Sequence, residues 1–71
     1  MGHSFKHEVL KQRREHLQLS RLDLVKRLWD AKLDISEETI RMWEEGQTSP
    51  DADRLPVLAE VLKCKVHEFY G

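Results

Sequence analysis

The side chains in this chain that can do chemistry beyond packing are its histidines, one cysteine, and clustered carboxylates and arginines. The histidines are His3, His7, His16 and His67. His3 and His7 stand four apart, so a helix would bring them to one face, but no further ligand is spaced to complete a metal site. The sequence therefore points to no metal and no other cofactor. Cys64 is the only cysteine, which excludes an internal disulfide. A lone thiol fits a reducing compartment, so a cytoplasmic location is expected, and Cys64 reads as a small apolar filler of the core. No glycine-rich phosphate loop, nucleophile elbow or cleft-forming acid pair is present, and 71 residues leave little room for a catalytic pocket. The chain does not read as an enzyme. What remains is a concentration of charge: Glu37-Glu38, Glu44-Glu45, Arg14, Arg21 and Arg41, with the polar pair Gln47-Thr48.

Helices must position these groups, because almost every stretch is apolar at the helical period and none alternates like a strand. Phe5, Val9, Leu10 and Leu17 mark one face of a first helix over about residues 5–16. Ser20 can cap a second, with Asp23 at its third position completing a capping box, and Leu19 and Leu24 forming a hydrophobic staple. Leu24, Val25, Leu28 and Trp29 then make its apolar stripe, which fades at residues 30–32. Ser36, Ile35 and Ile40 repeat the cap and staple for a third helix, with Trp43 inward and Gly46 as its stop. A fourth is expected from Asp51, or from Asp53 because Pro56 fits only a first turn; Leu55, Leu58, Ala59 and Leu62 are its buried side. Val66 and Phe69 suggest a short fifth helix. Trp29 and Trp43 both read as core; base stacking is the other reading of Trp29, should the turn after it expose the ring.

The chain carries a net charge of −1 at pH 7, which by itself argues mildly against a nucleic-acid partner. Its distribution is uneven. Residues 1–35 hold eight basic and five acidic side chains, residues 36–71 four and eight, so a neutral molecule can still present one basic face. No apolar run approaches the length of a membrane span and no signal peptide is visible. Residues 1–4 read as an N-terminal tail and residues 5–71 as a single domain.

Leu19-Ser20 before Leu24-Val25, then Ile35-Ser36, Ile40, Trp43-Glu44, Gly46, Pro50, Leu55, Leu58-Ala59 and Leu62, resemble the Cro/phage-repressor (XRE-type) helix-turn-helix family. The likeness runs over nearly the whole chain. It implies an all-α fold: a compact five-helix lambda-repressor-like domain, with a helix-turn-helix formed by helices 2 and 3 over residues 20–46. It also implies a sequence-specific transcriptional regulator, a repressor, whose third helix enters the major groove of double-stranded DNA, commonly as a homodimer on half-sites one helical turn apart. Any dimer surface would come from the fourth and fifth helices, around Phe69 and Tyr70, or from a region outside these 71 residues.

Position by position, the resemblance implies that Arg14 pairs with Glu44 as a structural tie. Arg21, Gln47 and Thr48, with Lys26 and Arg27, would hold phosphates, and Glu37, Glu38, Arg41 and Met42 would face base edges. Four features depart from the family. The inter-helix turn is lengthened by about one helical turn at residues 30–34, Val25 stands where a small residue is usual, Gln18 and Lys63 stand where glycine is usual, and the base-facing positions are acidic. A carboxylate can accept from cytosine N4, but the favoured reading of Glu37 and Glu38 is helix stability, since the helix dipole stabilises carboxylates in a first turn. The alternative to DNA is therefore a protein-interaction or antitoxin-like module that presents an acidic third helix to a basic partner. If Glu44 is satisfied internally, the DNA reading survives.

Overall fold

The computed structural model describes residues 5–70; residues 1–4, the tail with His3, and Gly71 lie outside them. The described residues form α1 (His7–His16), α2 (Arg21–Asp30), α3 (Glu37–Glu45) and α4 (Leu55–Val61), followed by a 3₁₀ turn (Val66–Phe69), with no strand among them. The expected fifth helix is that single turn, so the α-helices among the described residues number four. Its bonds run from Glu68 N to Lys65 O and from Tyr70 N to His67 O, both at 3.0 Å. Between an extended Lys65 and a buried Phe69 the chain has no room to develop α-helical bonding. α4 begins later than Asp51 or Asp53. Residues 51–54 form a turn, Arg54 N donating to Asp51 O at 2.9 Å, and Pro56 sits in the first helical turn, where its missing N–H costs nothing.

The starts of α2 and α3 are closed by the side chains that the sequence nominates. Ser20 Oγ accepts from Asp23 N, and Asp23 Oδ2 accepts from Ser20 N, each at 3.0 Å. Ser36 Oγ accepts from Thr39 N at 3.1 Å. The helix ends share one device. Gln18, Lys32, Gly46 and Lys63 all have positive φ, and each closes its helix with a paired set of bonds. After α1, Gln18 N donates to Glu15 O and Leu19 N to Arg14 O; after α2, Lys32 N donates to Trp29 O and Leu33 N to Leu28 O. Gly46 and Gln47 do the same for Trp43 and Met42, and Lys63 and Cys64 for Glu60 and Ala59. These are Schellman closures. Six residues, 31–36, then separate α2 from α3.

The core comprises Leu10, Leu24, Leu28, Ile35, Ile40, Trp43, Leu55, Leu58, Ala59, Leu62 and Phe69. Trp29 is not part of it: the residue is 63% exposed, and Leu22, seven residues earlier on the same side of α2, is 51% exposed. Only Leu24 and Leu28 of the α2 stripe turn fully inward, while Val25 is partly buried. In the turn after α2, Ile35 is buried in the core and Leu33 is partly buried against it. Cys64 is half-buried against the core, and burial raises its thiol pKa above the ordinary value.

The two ends of the domain meet. Lys6 N donates to Phe69 O at 2.6 Å, and the Phe5 and Phe69 rings stack at 5.4 Å. Phe69 is fully buried within its own chain, and Tyr70 packs edge-on against Phe5 at 6.3 Å. Phe69 is thus unavailable to the dimer surface expected around it. No helix among the described residues is long and apolar enough to cross a membrane.

Candidate nucleic-acid interface

Glu44 is the node between α1, α2 and α3. It falls on the inward side of α3 with Ile40 and Trp43, and its side chain is 1% exposed. Burying a carboxylate is tolerable only with charge-assisted partners, and Glu44 has three donors. Arg14 Nε reaches Oε2 at 2.6 Å, Arg14 Nη2 reaches Oε1 at 3.1 Å, and Arg21 Nε reaches Oε1 at 3.0 Å. Arg14 Nη1 also donates to Leu19 O at 2.7 Å, which ties the α1–α2 turn to the same node. Arg14 is nearly enclosed, whereas Arg21 is 30% exposed along its side chain. Arg21 therefore spends its Nε inward, and among the described residues its two Nη groups have no protein partner.

The outward side of α3 carries Glu37, Glu38, Arg41, Met42 and Glu45. Arg41 lies between two acids one turn away on either side. Its Nε donates to Glu38 Oε1 at 3.1 Å, its Nη2 to Glu38 Oε2, and its Nη1 to Glu45 Oε1 at 2.8 Å. Gln47 Nε2 joins the same Glu45 oxygen at 2.8 Å. The Arg41 guanidinium holds the Glu38 carboxyl below the ordinary carboxylate range, and the two acids push Arg41 further toward its charged form. Glu37 is the α3 carboxylate that no cation reaches within ion-pair distance among the described residues. Met42 is half-buried on the edge of this face.

The structure brings Arg21 together with Glu37, Glu38 and Arg41 around one shallow concavity. Gln47 and Thr48 are exposed just beyond the end of α3. Lys26 and Arg27 are elsewhere. They line a separate concavity with Asp23, Asp30, Glu60 and Lys63, on the side of α2 toward α4. Of the His3 and His7 pair, only His7 falls among the described residues, and it serves the fold. Its ring meets Glu44 O through Nδ1 at 3.0 Å, so with the carbonyl accepting, Nδ1 is the donor.

Two residues that tie distant helix ends together carry no signal in the local sequence. His7 closes the end of α3 and also fills the space beside Gly46, where a Cβ would lie 3.0 Å from His7 Cδ2. Arg13 donates from Nε and Nη2 to Leu62 O at 3.3 and 3.0 Å, and from Nη2 to Lys63 O at 2.9 Å, closing the end of α4. Both partnerships span more than 35 residues of chain, and no short-range spacing announces them.

A family model described as helix-turn-helix matches residues 10–69. Neither a curated protein nor a solved structure matches the chain.

Proposed function

We propose that this chain, which belongs to the Cro/C1-type (XRE) helix-turn-helix family, is a sequence-specific DNA-binding transcriptional regulator, a repressor, that lays α3 in the major groove. The observation that carries this reading is the inward turn of Glu44. Its charge is met by Arg14 and Arg21, so it adds nothing repulsive to the outward side of α3. The same contact braces Arg21 at the first position of α2, beside the concavity it shares with Glu37, Glu38 and Arg41. A braced arginine with both Nη groups free is suited to a phosphate flanking the groove.

In this reading Arg21, Gln47 and Thr48 hold the backbone, and Arg41, Met42, Glu37 and Glu38 face the base edges. Lys26 and Arg27, on another side of α2, contribute to the long-range field rather than to direct contacts. The Arg41 guanidinium offsets one of the two charges of Glu38 and Glu45, so the repulsion an acidic α3 meets is reduced but not removed.

The test is retention of random-sequence duplex DNA over a salt series. Log affinity falls linearly with log salt when phosphates displace counterions, by ~0.9 per contact. Arg21→Ala should weaken all sequences about equally and lower that slope by about 1. A flat salt response, or no retention at low salt, would sink the proposal and return the chain to an acidic protein-interaction module.

A further inference from the structure

Arg41 is held by its neighbours in a way that leaves a defined part of it unused. A guanidinium has five N–H donors in a fixed plane. Glu38 takes two of them, on Nε and Nη2, and Glu45 takes one on Nη1. One N–H therefore remains on each terminal nitrogen. Glu38 bridges Nε and Nη2 along one edge of the plane, so the N–H left on Nη2 is the one at the tip, and Nη1 keeps the N–H that Glu45 does not take. Gln47 holds Glu45 from the far side.

Building on the DNA reading above, we infer that Arg41 is the residue that determines specificity, its free tip reading the O6 and N7 acceptors of a guanine, with Glu38 and Glu45 as positioning residues. Phosphate is the weaker fit. The cluster of one guanidinium and two carboxylates is net negative, so it has no attraction for an anion. A guanine edge is neutral and offers two acceptors at the spacing of an arginine fork. Glu38 is committed to orienting Arg41, with both of its oxygens accepting from the guanidinium. The cluster is exposed, and exposed pairs of this kind contribute little to stability, so variants at Arg41 and Glu38 keep the fold.

The experiment selects tight duplexes from a random-sequence pool with the full chain at low salt. Each guanine of a selected duplex is then replaced in turn by 7-deazaguanine, which lacks the N7 acceptor. At one position the replacement should weaken wild-type binding roughly tenfold and leave Arg41→Ala unaffected. Arg41→Gln, whose amide matches adenine rather than guanine, should lose the guanine preference, and Glu38→Gln should blunt it. Wild-type selection with no guanine sensitive to the replacement, or equal sensitivity in Arg41→Ala, would overturn the assignment and leave the DNA reading standing. If no duplex is retained at low salt, the DNA reading itself fails, and this inference with it.

Discussion

Glu44 and Glu38 are both glutamates on one helix, yet burial gives them opposite weights. Glu44, 1% exposed, neutralises an almost enclosed Arg14. Glu44→Ala would strand that guanidinium, a loss of ~3–5 kcal/mol in a domain whose whole stability is on the order of 5–15 kcal/mol. Thermal unfolding followed by circular dichroism should show the midpoint lowered by roughly 15 °C or more. Arg41→Ala, which breaks only exposed pairs, should stay within ~0.5 kcal/mol of wild type. The tryptophans differ in the same way. Trp43 is 2% exposed and Trp29 63%, so Trp29→Phe should shift the emission of the folded protein to shorter wavelength and reduce its quenching by acrylamide. Unchanged quenching would contradict the outward placement of Trp29.

At the scale of elements, the helices are specified at their starts by side chains and at their ends by backbone conformation. Three of the four left-handed closures fall on Gln18, Lys32 and Lys63 rather than glycine. A Cβ in that conformation costs roughly 1–2 kcal/mol, partly offset in a glycine variant by the greater freedom of its unfolded chain. Gln18→Gly should therefore raise stability by about 0.5–1 kcal/mol in urea titrations. Gly46→Ala should do the reverse, and more strongly, because it adds a close approach to the His7 ring to the same strain. The capping box also sets a pH dependence. The Ser20 backbone N–H and hydroxyl hold Asp23 below its ordinary value of 3.8. A carboxylate lowered in the folded state contributes stability that is full above the unfolded value and is lost as pH falls through the folded one. Asp23→Asn should lack that contribution at about pH 6 and lose less than wild type on acidification to about pH 2.5, as read from unfolding midpoints.

At the scale of the molecule, the chain divides its charge. The first half is basic and the second acidic, but folding cancels part of each at the Glu44 node and at the Arg41 cluster. Glu37 is what remains unpaired on α3 among the described residues. Glu37→Gln should therefore raise affinity for DNA of any sequence a fewfold at low salt, an effect that fades as salt screens it. A change confined to particular base sequences would instead make Glu37 a reading residue.

The sequence by itself determined what depends on near neighbours. Ser20 with Asp23, Ser36 before Ile40 and Gly46 after Trp43 mark helix ends within a few residues, and such bonds form wherever the local order permits. The apolar spacing likewise named most of the core. Tertiary structure decided whatever depends on which side of a helix finds cover. Leu24 and Leu28 went inward and Trp29 outward, because Trp29 falls on the side of α2 that carries exposed Leu22, about 100° round the helix from Leu28. It shortened the last helix to a 3₁₀ turn, since Phe69 must reach the core beside Phe5. It also separated Lys26 and Arg27 from Arg21, and brought His7 and Arg13 to helix ends far along the chain. For the acidic face, residue types alone left every glutamate equivalent. The family resemblance set Glu44 apart as a partner for Arg14, and packing made it a buried counter-ion and Glu38 an exposed brace, because the cost of burying a charge is set by the partners that folding brings to it.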